Sequence, residues 1–172
     1  MKGGQILSII AAILTIIATY VFYWISYEYM DLYHINGIGF FKNVGDLFTN
    51  VNSNAVYYGL PIVFYYVILV LFILMMASPI LQLLGLKKRI GPLLGCIMPL
   101  LIGTMILLYA SFGSMEFFVK YLMMFGDIEP FAEGTFPITI AIEGRKEYWG
   151  TYILLAAGVF SLIAGLKGPG TF

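Results

Sequence analysis

The chain has 172 residues, of which 61% are hydrophobic and 10% are charged, and its nine basic and nine acidic side chains balance. Soluble domains carry about 25% charged residues, and a core of this size cannot enclose so much apolar surface, so lipid must serve as a second solvent. The length suits a single domain covering residues 1–172. The single cysteine, Cys96, excludes an intrachain disulfide.

Four apolar runs without a charged residue follow one another along the chain. Each is long enough to cross a bilayer as a helix, which takes about 20 apolar residues. The first run lacks a small-x-small cleavage site, so we expect it to be retained rather than removed as a signal peptide. We therefore predict an all-α membrane protein, a four-transmembrane-helix bundle with two structured outer loops. The predicted spans are about 3–27, 57–86, 90–115 and 148–166, and the predicted loops are 28–56 and 116–147.

The distribution of charge predicts the orientation of this bundle. Four spans place Lys2, the Lys87-Lys88-Arg89 turn and Lys167 on one side, and all nine acidic residues on the other. Short basic loops face the cytoplasm, so both termini are expected inside. Aromatic residues around Trp24, Tyr57 and Trp149 are expected to mark the outer membrane interface.

Both outer loops are rich in apolar residues, which solvated disorder would not be. The spacing of apolar residues over 40–48 predicts a short amphipathic helix, which could lie on the bilayer or bind a partner. In loop two, we expect a helix from a Ser114 cap to Phe125, and a short strand over 135–142. The residues with which these elements would contact another protein are Phe117, Phe118, Tyr121, Leu122, Phe125, Phe136, Ile138 and Ile140.

Small residues recur at helical spacing within the spans and predict close helix packing. Pro79, Pro92 and Pro99 are expected to perturb their helices. The helix-packing candidates are Gly91, Gly95, Gly103, Ala157, Ser161 and Gly165.

Residues that carry chemistry are few in this sequence. The only histidine, His34, cannot supply paired haem ligands, and no span contains a charged residue or a histidine. Asp127, Glu129 and Glu133 could hold a divalent cation, although they lack the ligand order of an EF-hand. We therefore predict no catalytic residues, no cofactor and no resident metal.

Four spans, both termini inside and an outer region with a short strand resemble the tetraspan class of claudins and peripheral-myelin-protein relatives. The resemblance is one of topology and covers the whole chain. That class carries a Trp-(x)n-Gly-Leu-Trp-Cys-Cys pattern in its first outer loop, whereas residues 28–56 contain neither Trp nor Cys. The resemblance therefore implies the fold and no functional residue.

Three functional hypotheses fit these observations. The first is a non-enzymatic protein of the plasma membrane that assembles through its outer loops with itself or another envelope protein. The second is a small accessory subunit of a larger respiratory or transport complex. The third is an oligomeric channel or carrier. The bilayer is a partner in each of them, and a nucleic acid in none.

Overall fold

The computed structural model describes residues 3–29, 31–35, 44–112, 126–127 and 149–168. Within this part of the chain, four helical stretches are long and apolar enough to cross a membrane, which confirms the predicted four-helix membrane bundle. These spans are Gly3–Tyr20, Ile62–Leu86, Ile90–Phe112 and Trp149–Lys167.

The elements follow in chain order, with α2 denoting the described helical residues 44–49. They are α1 (Gly3–Tyr20), β1 (Ile25–Tyr29), β2 (Asp31–Ile35), α2 (44–49), α3 (Val51–Tyr58), α4 (Ile62–Leu83) with a 3-10 turn (Leu84–Leu86), α5 (Ile90–Gly95), α6 (Ile97–Phe112), β3 (Gly126–Asp127) and α7 (Trp149–Lys167).

The two ends of the bundle differ in what they bring together. At one end, which we call the basic end, Gln5 of α1 donates from its side-chain amide to the carbonyl of Leu86 at 3.1 Å. The side chain of Arg89 lies against Gly168, just beyond α7, at the same end. At the opposite end, which we call the hairpin end, Thr151 contacts the backbone of Trp24, just before β1.

The first and last spans form the most extensive helix pair in the bundle. Their facing surfaces consist mainly of small residues, so the two backbones approach closely. A side chain at Gly4 would collide with the carbonyl of Gly168, and one at Gly150 would lie 2.9 Å from Cβ of Phe22. The pair is therefore antiparallel and closely packed at both ends.

The first span is shorter than the sequence predicts. It ends at Tyr20 rather than near residue 27, because Val21 and Phe22 both donate to the carbonyl of Ile17 and the chain then leaves the helix. The alternating sequence Ile25-Ser26-Tyr27-Glu28-Tyr29 forms β1 instead. The expected interface residue Trp24 is fully buried and donates from Nε1 to the carbonyl of Ala18 at 2.6 Å.

The second span also begins later than predicted, at Ile62 rather than Tyr57. Tyr57 and Tyr58 belong to α3, which ends at Gly59 in the left-handed conformation with φ of 68°. Gly59 adopts this conformation without the steric cost that a side chain would impose. Pro61 then lies immediately before α4, with ψ of 139°, and sets the new helix direction.

A small sheet lies at the hairpin end. β1 and β2 pair antiparallel with Ile25 opposite Ile35, and β3 pairs with β2 with Asp127 opposite His34. β3 lies between the third and fourth spans, in the loop where the sequence predicts a short β element, whereas the predicted strand over 135–142 lies outside the described residues. The predicted amphipathic helix over 40–48 is described from residue 44, and 44–49 are helical.

Candidate functional site: a buried polar junction between the spans

Gln82 lies at the centre of the clearest polar feature in the described part of the bundle. Its side chain is fully buried on α4. Its Oε1 accepts a hydrogen bond from Thr15 Oγ1 of α1 at 2.9 Å, and its Nε2 donates to the carbonyl of Gly95 at 3.1 Å. One amide side chain thereby connects three of the four spans.

The carbonyl of Gly95 needs this donor because of Pro99. In a helix, this carbonyl would accept from the N–H of the residue four positions later, but proline has no N–H. The absence of a side chain on Gly95 also makes room for the approach, since a Cβ there would lie 2.7 Å from Cγ of Gln82. These three residues therefore act together. Pro99 leaves the carbonyl of Gly95 without its helical donor, and the missing side chain at Gly95 lets the amide of Gln82 reach that carbonyl.

The third span continues as a helix past this junction. Cys96, between α5 and α6, has a helical φ of −81° and ψ of −23°, its N–H donates to the carbonyl of Pro92 at 2.9 Å, and its carbonyl accepts from the N–H of Leu100 at 3.1 Å. The helical hydrogen bond that is missing here is the one that Pro99 cannot donate to Gly95. Cys96 is buried, and its Sγ lies 3.1 Å from the carbonyl of Leu93. α4 likewise continues through Pro79.

Residues of all four spans also come together around Pro92. Ser161 of α7 donates to the carbonyl of Pro92 at 2.7 Å. A Cβ on Gly85 would lie 2.8 Å from Cδ of Pro92 and would also collide with the hydroxyl of Ser8. The side-chain oxygens of Ser8 and Thr19 on α1 are buried and lack a hydrogen-bond partner within the described part of the chain.

Two further hydrogen bonds attach the hairpin end to the spans. Thr151 Oγ1 of α7 donates to the carbonyl of Trp24 at 2.6 Å. The hydroxyl of Tyr65, which is buried on α4, donates to the carbonyl of Leu47 on α2 at 3.0 Å. The position of α2 relative to α4 is thus fixed by a side chain as well as by apolar packing.

The predicted helix-packing residues all lie at helix contacts, but on different seams. Cβ atoms at Gly91 and Gly95 would approach α4, lying 2.6 Å from the carbonyl of Leu81 and 2.9 Å from N of Gln82 respectively. Gly103 and Gly165 instead lie on the contact between α5–α6 and α7, where Cβ atoms would lie 2.6 Å from Leu155 and Leu93. Ala157 is fully buried on α7, beside the seam that Ser161 occupies.

Several predicted site residues lie outside the described residues. They are the eight interface candidates Phe117, Phe118, Tyr121, Leu122, Phe125, Phe136, Ile138 and Ile140, together with Glu129 and Glu133 of the acidic group. His34 lies on β2, opposite Asp127 in the strand register. Among the residues that the structure describes, no group of three His, Cys, Asp or Glu side chains could hold a metal ion.

Sequence reasoning missed Gln82, although a signal for it was present. Charged residues and histidine are the usual functional markers within a span, and an uncharged amide is not among them. A glutamine within an apolar run, together with glycine and proline four positions apart on the next span, is the pattern that could have identified the junction. Thr15 and Gly85 carry no comparable signal, since similar small residues recur throughout the spans.

The junction consists of amide, hydroxyl and carbonyl groups, which join helices in an apolar medium. This chain matches no protein-family model, no curated protein and no solved structure.

Proposed function

We propose that this chain is a non-enzymatic multi-pass membrane protein that acts in assembly, binding copies of itself or another membrane protein through its hairpin end. The observation that supports this most directly is the exposure of Val56 and Tyr57 on α3, at 80% and 77%. Large apolar side chains exposed outside the spans commonly mark an interaction surface.

The exposure of these residues follows from the packing of α3. The other face of this helix is buried through Val51 and Ala55, next to the buried Leu47 of α2. Because that face is occupied, Val56 and Tyr57 cannot turn inwards without unpacking the helix. The first turn of α4 extends the apolar surface through Val63 and Phe64, which are also exposed.

Polar groups border this apolar surface. Asn50 and Asn54 donate to the carboxylate of Asp46 at 2.6 and 3.3 Å, and these three residues are themselves exposed or partly exposed. Protein interfaces commonly combine an apolar centre with a polar rim. This combination favours a protein partner over the headgroup region of the bilayer as the cover of α3.

The proposal also covers the membrane location and orientation of the protein and its similarity to a known class. We propose that the protein resides in the plasma membrane with its basic end and both termini in the cytoplasm, as the position of Lys87, Lys88 and Arg89 suggests. We propose that the protein resembles the tetraspan class in architecture, as a four-helix bundle with strands at its outer end.

The test is mild detergent purification from the native membrane, followed by identification of whatever co-purifies. Wild-type protein is expected as an oligomer or as a complex with another membrane protein, and Val56→Ser with Tyr57→Ser should shift it towards the free monomer. Ile80→Ser is the matched control, because Ile80 is also exposed, at 66%, but lies on α4 near the basic end and away from α3. Phe118→Ser with Phe125→Ser tests the predicted contacts of loop two in the same assay.

The outcomes separate the alternatives. Self-association of the pure chain supports assembly with copies of itself, while a stoichiometric foreign protein supports the accessory-subunit hypothesis. A strictly monomeric wild type in several mild detergents, with both loops protected from protease, would contradict the proposal.

A further inference from the structure

The basic end offers a surface that the proposed function does not use. Lys87, Lys88 and Arg89 are consecutive and exposed. The N–H groups of Lys87 and Lys88 both donate to the carbonyl of Leu84, at 3.0 and 2.9 Å, so the turn that carries them is closed by hydrogen bonds. The three cations are therefore held close together at one end of the bundle.

The C-terminal end of α7 lies beside this turn. The stem of Arg89 lies against Gly168, just beyond α7, where a Cβ would be 2.9 Å from Cγ and Cδ of Arg89. Gly168 has φ of 73°, so both its conformation and its lack of a side chain suit this contact. The carbonyl groups at the C-terminal end of α7 also favour a neighbouring cation.

Among the residues that the structure describes, no acidic side chain accompanies Lys87, Lys88 and Arg89. The sequence segments 1–27, 47–115 and 148–172, which include the spans and the basic turn, contain no Asp or Glu. Asp46, the acidic residue whose side chain the structure describes, lies on α2 at the hairpin end, next to Leu47. An anion from outside the chain would complement the three cations.

An apolar stripe adjoins the cations directly. Ile90 follows Arg89 and is 64% exposed, and Leu94 and Ile97 continue the exposed surface at helical spacing along the third span. A ligand that matches both features carries a negative headgroup and an acyl chain. A small anion would contact only the cations and not the apolar stripe.

We infer that an anionic phospholipid binds at the basic end, with its phosphate against Lys87, Lys88 and Arg89 and an acyl chain along Ile90, Leu94 and Ile97. Basic clusters at the ends of spans attract anionic headgroups electrostatically. This inference does not depend on the assembly proposed above, because a monomer and an oligomer both carry the site.

The probe is phosphatidylglycerol, compared with phosphatidylcholine, added to the full chain in a nonionic detergent and followed by native mass spectrometry. Wild-type protein should retain phosphatidylglycerol in preference. The triple variant Lys87→Gln, Lys88→Gln, Arg89→Gln should lose about 100-fold in affinity for it, at about fivefold per basic residue. Lys42→Gln, Lys120→Gln, Lys146→Gln removes the same charge from the predicted outer loops and should retain the preference.

Salt provides a measurement that needs no variant and so avoids any effect of substitution on folding. Binding of phosphatidylglycerol to wild-type protein should weaken between 50 and 500 mM salt, because salt screens the attraction between exposed charges. Retained affinity in the basic triple variant, salt-insensitive binding, or equal binding of both lipids would each overturn the inference. Displacement of the lipid by an equal concentration of glycerol 3-phosphate would also overturn it, since that compound has no acyl chain.

Discussion

The side-chain amide of Gln82 donates to the carbonyl of Gly95 at 3.1 Å, across two spans. Pro99 cannot supply the helical N–H that this carbonyl would otherwise accept. The hydrogen bond therefore replaces a missing backbone bond, and this relationship leads to a specific test of how the bundle is held together.

Gln82→Met should lower the free energy of unfolding by about 1 kcal/mol, between the average of about 0.6 for an interhelical hydrogen bond in a membrane protein and the larger cost of an orphaned buried acceptor. In a Pro99→Ala background the loss should be smaller, because the alanine N–H can satisfy Gly95. Unfolding of all four combinations in mixed micelles measures the coupling. Purely additive losses would show that Gln82 and Pro99 act independently.

Gly95→Ala should destabilise the bundle by about 1–3 kcal/mol, as overpacking does. Its Cβ would lie 2.9 Å from the backbone N of Gln82, an atom that cannot move without shifting α4. Gly103→Ala should cost less, because its Cβ would meet only the flexible side chain of Leu155. Gly3→Ala, where a Cβ would meet nothing within 4 Å, is the reference in the same unfolding assay. Equal losses at positions 95 and 103 would contradict this ranking.

Ser8→Ala and Ser161→Ala should change stability in opposite directions, although the chemical change is identical. The hydroxyl of Ser161 donates to Pro92, so its removal should cost about 0.5–1.5 kcal/mol. The hydroxyl of Ser8 is buried without a partner in the described part, so removing it should stabilise the protein by about 1 kcal/mol. Thermal unfolding of both variants decides the matter, and a loss at position 8 would mean that its hydroxyl has a partner.

Topology is testable by accessibility. In a Cys96→Ala background, cysteines at Asn52 and Glu133 should react with an impermeant thiol reagent on intact cells, whereas one at Lys88 should react only after permeabilisation. The expectation rests on the basic turn facing the cytoplasm. Labelling of the Lys88 position alone on intact cells would reverse the orientation.

The sequence was sufficient to predict the four spans, because length and apolar composition in lipid leave few alternatives to a helix. It was not sufficient to predict the residues at which the spans begin and end. Val21 to Tyr27 is apolar enough to continue α1, and only the alternating pattern of Ile25–Tyr29 and its pairing with Asp31–Ile35 show that the chain turns into a strand. Tyr57 and Tyr58 continue the apolar run of the second span in sequence, but Gly59 and Pro61 interrupt the helix, so both tyrosines belong to α3.

The polar junction could be predicted only in part. Spacing identified Gly91 and Gly95 as residues at which helices approach closely, but not which helix would approach them. Gly103, eight positions after Gly95, was grouped with both, yet it meets Leu155 of α7 rather than α4. Eight residues turn a helix about 80° beyond two full turns, so Gly103 faces a different neighbour from Gly95. Which neighbour lies on that side depends on tertiary packing that spacing alone does not contain.

The pairing of α1 with α7 has a consequence for how the protein is made. The first helix is synthesised about 130 residues before its main partner begins at Trp149. At translation rates of about 5–20 residues per second, that interval is on the order of ten seconds. During it, the face of α1 that meets α7, which includes Gly4, lacks these contacts. The newly inserted chain is thus open along one side until its last helix arrives, and a chain truncated before Trp149 would remain so.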